Sequence, residues 1–78
     1  MLVHVRLFSR FRERLPLGAH GEAALELPEG TTVAGLLDRL GITDPAKLIT
    51  VNGARETRFD RSLGEGDTVL IFPPVVGG

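Results

Sequence analysis

The residues with the most legible chemistry stand together at the end of the 78-residue sequence: Phe72-Pro73-Pro74-Val75-Val76-Gly77-Gly78. The stretch is apolar and closes on two residues without side chains. Pro73 and Pro74 have no backbone donor and hold φ near −65°, so they end strand pairing and set the chain extended. Pro73 also steers Phe72 away from helical angles, and Pro74 does the same to Pro73. From Pro73 onward an extended chain reaches ~20 Å at about 3.3 Å per residue, enough to enter the active site of another protein. Gly77 and Gly78 lack a Cβ, so they pass a narrow channel and leave the Gly78 carbonyl open to attack. A terminal carboxylate has a pKa of about 3.3–3.7, is ionised at neutral pH and is a poor electrophile. It needs activation, for example as an acyl-adenylate, before it can carry a group. The chemistry expected is therefore acyl activation and transfer at Gly78, performed by other enzymes.

The other polar residues offer no competing centre. Cysteine is absent, which excludes disulfides, thiolate metal sites and a thiol nucleophile. His4 and His20 are the two histidines, and spacing sets no nucleophile or carboxylate beside either. No Ser-His-Asp set, metal-ligand cluster or carboxylate pair stands out. Gly18-Ala19-His20-Gly21 lacks the spacing and the lysine of a phosphate-binding loop. The net charge of −1 argues against bulk nucleic-acid binding. No apolar run approaches the ~20 residues of a membrane span, and the N-terminal residues lack the layout of a signal peptide. The expectation is a cytoplasmic protein with no nucleic-acid or membrane partner. Lys47 is the one lysine among nine basic residues, a bias that either a GC-rich genome or adaptation to heat would produce.

The remaining residues must hold that tail in place. The length suits one domain. Leu2 to Phe8 alternates, with Val3, Val5 and Leu7 on one face and His4 and Arg6 on the other, which predicts a strand. Ser9 is placed to cap a short helix over Arg10 to Leu15, with Phe8, Phe11 and Leu15 on one side. Arg10, Arg12 and Arg14 read mainly as a solvated face; with Arg6 they are a candidate patch for an acidic partner. Leu17 to Gly21 is a loop. Glu22 to Leu27 is a second strand, antiparallel to the first, with Ala23, Leu25 and Leu27 inward. Thr31 or Thr32 caps the main helix, Val33 to Leu40, whose Val33, Leu36, Leu37 and Leu40 form one apolar stripe. Gly41 suits a left-handed helix end, with Ile42 supplying its hydrophobic contact. Leu48 to Val51 is a strand, Asn52-Gly53 a hairpin turn, and Ala54 to Phe59 a candidate return strand. Leu63 is placed to plug the core. Gly64 to Asp67 is a turn, and Thr68 to Phe72 is the last strand. Both of its faces are apolar, Val69 and Ile71 against Leu70 and Phe72, which predicts a central strand beside the first. The architecture expected is α+β: a β-grasp, or ubiquitin-like, mixed sheet over residues 1–72, one main helix packed across it, and a flexible tail over 73–78.

Three stretches resemble the MoaD/ThiS sulfur-carrier family, and within it the small subunit of molybdopterin synthase. They are Phe8-Ser9-Arg10-Phe11-Arg12-Glu13 after the first strand, Leu63-Gly64-Glu65-Gly66-Asp67-Thr68-Val69 before the last, and the ending Phe72 to Gly78. Val76 departs from the small serine or alanine that the family more often shows. The resemblance implies a cosubstrate, not an enzyme on its own, with no bound cofactor. An adenylyltransferase related to ubiquitin-activating enzymes would use ATP to adenylate Gly78, and a persulfide donor would supply sulfur for a thiocarboxylate. The large synthase subunit, in a heterotetramer, would then receive the tail and pass the sulfur to a pterin precursor in molybdenum cofactor biosynthesis. On this reading Gly78 reacts and Gly77 fits the channel, Val75 and Val76 make apolar contacts, and Pro73 and Pro74 limit the entropy lost on insertion. Leu70 and Phe72 are candidate interface residues. The same tail chemistry also suits a sulfur carrier for cysteine, thiamine or tRNA thiolation, or a ubiquitin-like protein modifier. An interaction module binding through its sheet, with an inert tail, is a third class.

Overall fold

A computed structural model describes residues 1–15, 19–45 and 47–74. Five strands form one sheet: β1 (Leu2–Leu7), β2 (Glu22–Glu26), β3 (Leu48–Val51), β4 (Ala54–Arg55) and β5 (Thr68–Phe72). Their order is β2-β1-β5-β3-β4. β1 and β5 run parallel side by side, with Val5 opposite Val69 and Leu7 opposite Ile71. The other pairings are antiparallel. The first and last strands are therefore neighbours and β5 is central, as their apolar character predicts. The tail expected beyond Pro74 lies outside the described residues.

The strand alternation becomes two unlike faces. Val3, Val5 and Leu7 of β1, Ile49 and Val51 of β3, and Val69 and Ile71 of β5 are buried on one side. They share one core with Val33, Leu36, Leu37 and Leu40 of helix α1 (Val33–Leu40), and with Phe11, Leu15, Leu27, Ile42 and Leu63. The helix ends are built as the residues dictate. The Thr32 hydroxyl accepts from the Gly35 N–H at 3.1 Å. Gly41 takes φ 72°, in the left-handed region. Its N–H donates to the Asp38 carbonyl and that of Ile42 to the Leu37 carbonyl, at 3.1 and 3.0 Å, a Schellman ending that buries Ile42. Asn52 and Gly53 turn β3 into β4 with φ of 52° and 85°. The Asn52 amide donates to Asp67 Oδ1 at 2.8 Å while its Oδ1 accepts from the Thr68 N–H at 2.9 Å, so the hairpin is tied to the start of β5.

Three local expectations need correction. The segment after β1 is a 3-10 helix over Ser9–Arg14, and Ser9 does not cap it: the residue preceding the helix is Phe8, with no side-chain cap bond. Ser9 itself takes φ 54°. Phe11 and Leu15 enter the core, but Phe8 continues the β1 alternation to the opposite face. The return strand after Asn52-Gly53 is two residues long, because the segment beyond it serves α1 instead. The Val33 N–H donates to the Arg61 carbonyl and the Ala34 N–H to the Phe59 carbonyl, at 3.0 and 2.9 Å. Those donors have no partner within a helix, so the loop supplies it.

Candidate functional site

The face of the sheet opposite α1 collects the residues that bear on the tail. Leu70 and Phe72 project there from β5, half-buried. Phe8 stands on β1's side of Phe72, and the two rings stack with centroids 4.2 Å apart and planes 12° from parallel. The Arg6 guanidinium lies 5.1 Å from the Phe8 ring centre, so cation, ring and ring form a continuous ladder. On the other side, Leu48 of β3 pairs in register with Phe72. Leu48 is 36% exposed and is the one large hydrophobic side chain exposed among the described residues.

These groups border an open depression of about 540 Å³, lined by Phe8, Ser9, Lys47, Leu48, Phe72, Pro73 and Pro74. The chain leaves the sheet through this depression. Pro73 and Pro74 thus do two things: they stop β5 from pairing further, and they form one wall of the depression. Of the tail-side residues singled out from the sequence, Phe72, Pro73 and Pro74 meet here. Leu70 does not; it lines a neighbouring depression of about 440 Å³ with His4, Arg6, Glu22 and Thr68. Val75, Val76, Gly77 and Gly78 lie outside the described residues.

Sequence reading missed Phe8 and Leu48 as members of the site. The signal was present: period two carried one residue past β1 puts Phe8 with His4 and Arg6, and period two in β3 puts Leu48 opposite the buried Ile49 and Val51. Two of the four arginines of the candidate patch, Arg6 and Arg10, have acidic partners. Arg10 Nη2 donates to Asp44 Oδ2 at 2.6 Å, which holds the Asp44 carboxyl below its ordinary range. Arg6 lies 4.0 Å from Glu22. Lys47 donates through Nζ to the Asp44 carbonyl and sits 5.6 Å from the Phe59 ring centre. Asp44 therefore joins the 3-10 helix to the lead-in of β3 beside the depression. His4 and His20 are both exposed, and among the described residues no cluster of metal-ligating side chains occurs.

The described lining holds no carboxylate or histidine, and its polar side chains are those of Ser9 and Lys47. It is an uncovered apolar strip, beginning at the open end of the central strand and continuing into two prolines. Such a surface is suited to seat a second protein.

Comparison with known proteins gives the family and the fold. The model of the ThiS family matches residues 5–78. The crystal structure of SAMP1 from Haloferax volcanii superposes with a TM-score of 0.76 at 20% identity, over 100% of both chains, a likeness of fold. A putative molybdopterin converting factor, subunit 1, from Pyrococcus furiosus is 32% identical, with a TM-score of 0.73 over 96% of this chain and 99% of that one. The complex of subunits 1 and 2 of molybdopterin-converting factor from Helicobacter pylori 26695 gives a TM-score of 0.67 at 21% identity, over 100% of both chains. No curated protein sequence matches the chain. With a family model spanning nearly its whole length and a subunit 1 protein at 32% identity, the chain belongs to the ThiS family of sulfur carriers, the family that includes MoaD.

Proposed function

We propose that the chain is the sulfur-carrying small subunit of molybdopterin synthase and acts at its Gly78 carboxylate. An adenylyltransferase joins that carboxylate to the α-phosphate of ATP, and pyrophosphate leaves. Hydrosulfide, delivered from a persulfide donor together with a reducing thiol, attacks the acyl carbon. AMP departs and a thiocarboxylate remains. AMP is a far better leaving group than oxide, which is why the first step is needed. The loaded tail then enters the large subunit and gives its sulfur to the pterin precursor, and a second round completes the dithiolene that binds molybdenum. This chain is a cosubstrate in these steps; the ATP belongs to its activating partner.

The observation that carries the reading is the uncovered strip of Phe8, Leu48, Phe72, Pro73 and Pro74 where the central strand releases the chain. A partner seated on it contacts the residues from which the chain runs on to Gly78. The 32% identity to the Pyrococcus furiosus protein described as a putative molybdopterin converting factor, subunit 1, favours the pterin pathway over other sulfur acceptors. The test is reconstitution. Carrier loaded with sulfur is mixed with a molybdopterin synthase large subunit and the pterin precursor, and the dithiolene product is measured. Product stoichiometric with loaded carrier is expected. Loaded carrier that delivers no sulfur to the pterin, but thiolates tRNA or a cysteine precursor, would move the protein to another pathway.

A further inference from the structure

We propose that Lys47 is a guarded amine, tethered so that the chain does not acylate itself once its terminus is activated; the proposal rests on Gly78 being the activated group. An acyl-adenylate or thioester is attacked by thiolates and by uncharged primary amines. The sequence has no cysteine, and eight of its nine basic residues are arginines, which stay protonated. Two primary amines remain, those of Met1 and Lys47.

Reach separates them. The Met1 nitrogen donates to the Leu27 carbonyl at 2.7 Å and lies 3.5 Å from Glu26. Since β1 and β5 are parallel with Leu7 opposite Ile71, Met1 sits at the far end of the sheet from the departing chain. That separation is ~20 Å at about 3.3 Å per residue along β1. The four residues after Pro74 span at most ~13 Å. Lys47 is at the near end. Its neighbour Leu48 pairs with Phe72, and Lys47 lines the exit depression together with Pro73 and Pro74. It is the one lysine of the sequence, and it borders the depression at which β5 ends.

Its nitrogen is nevertheless drawn away. Nζ donates to the Asp44 carbonyl and faces the Phe59 ring, and neither Asp44 nor Phe59 lines the depression. Asp44 is in turn fixed by Arg10 at 2.6 Å. The stem of Lys47 walls the exit while its reactive end is occupied elsewhere. Without that restraint the Lys47 nitrogen would form an amide bond to the Gly78 carbonyl carbon. The bond from that carbon to the AMP oxygen or thioester sulfur would break, AMP or thiol would leave, and the amine proton would pass to water. The product is a closed loop, lighter by one water than the free acid, that no longer carries sulfur.

The full chain bearing a Gly78 thioester of mercaptoethanesulfonate, made by intein cleavage, tests this without any activating enzyme. Intact mass is followed at mildly alkaline pH, and circular dichroism confirms that each variant is folded. The wild type and Lys47→Arg should hydrolyse to the acid alone. Leu48→Lys, which places an untethered amine on the same depression, should yield the lighter product, mapped to position 48. Phe59→Leu should yield it at position 47, where the wild type yields none. Closure of the wild type at the rate of Phe59→Leu would overturn the proposal, as would a Leu48→Lys chain that only hydrolyses. Because the thioester is formed chemically, failure of ATP-dependent activation in a separate pyrophosphate-release assay would count against the proposed function and not against this guard.

Discussion

Removing either ring of the Phe8–Phe72 stack should separate docking from folding. The rings are 4.2 Å apart and 12° from parallel, and both lie half-buried on the uncovered face. A stacked aromatic pair contributes roughly 0.5–1.5 kcal/mol beyond the area it covers. A fully buried Phe→Ala change costs ~3–5 kcal/mol, and half-buried rings should cost less, about 1–2 kcal/mol each. In a domain of this size that lowers the melting temperature by roughly 4–8 °C per kcal/mol. The assay is a urea-unfolding cycle on the wild type, Phe8→Ala, Phe72→Ala and the double variant. A coupling of about 0.5–1.5 kcal/mol is expected. The same proteins are then titrated with the large synthase subunit or the adenylyltransferase. An aromatic anchor at an interface centre is worth ~2 kcal/mol or more, about thirty-fold in Kd, so each variant should bind far more weakly while still folded. Additivity within ~0.3 kcal/mol would show that the rings do not stack in solution. Unchanged affinity would remove this face from the interface.

Four further outcomes follow from the same geometry. Leu36→Ala, at a position 0% exposed, should cost ~2–5 kcal/mol in urea unfolding, a large share of a small domain's stability. Gly41→Ala forces a side chain into φ 72° and should cost about 1 kcal/mol by the same measurement, with the helix content of the folded state unchanged. The Asp67 carboxyl is held below its ordinary 3.8 by the Asn52 amide and then by the Gly64 N–H. A depressed folded value gives stability that is present above the ordinary value and lost as pH falls through the folded one. Unfolding midpoints should therefore drop on acidification past that range, less steeply in Asp67→Ala than in the wild type. Deleting Gly77-Gly78 should leave the melting temperature unchanged and abolish sulfur transfer; retained activity would assign the function to the sheet alone.

The sequence made the fold legible where one residue type has one use. The Val33, Leu36, Leu37, Leu40 stripe closed by Gly41, and the Asn52-Gly53 turn, each leave a single local geometry, and both form as expected. The apolar character of β1 and β5 predicted their pairing, and a strand such as β5, apolar on both faces, belongs in the interior of a sheet. Legibility failed where distant backbone decides. Ser9 looks like a cap, but Phe8 is drawn outward to Phe72 and leaves Ser9 inside the 3-10 turn. Residues after Arg55 read as strand, yet Phe59 and Arg61 spend their carbonyls on the first donors of α1. That demand cannot be seen within either segment. The docking strip was half visible: Phe72, Pro73 and Pro74 announce themselves by chain position, whereas Phe8 and Leu48 join them only through the register of three strands. The Lys47–Asp44–Arg10 arrangement joins parts of the chain that no local pattern connects.

The central claim is that Gly78 carries sulfur, and one mass spectrum tests it most directly. The full chain is incubated with a ThiS- or MoaD-activating adenylyltransferase, ATP and sulfide, and its intact mass is recorded beside that of the chain lacking Gly77-Gly78. The account predicts a gain equal to one oxygen exchanged for one sulfur, located at Gly78, dependent on ATP and absent from the truncated chain. A full-length protein whose mass stays unchanged while the same enzyme thiocarboxylates another carrier of the family would contradict it.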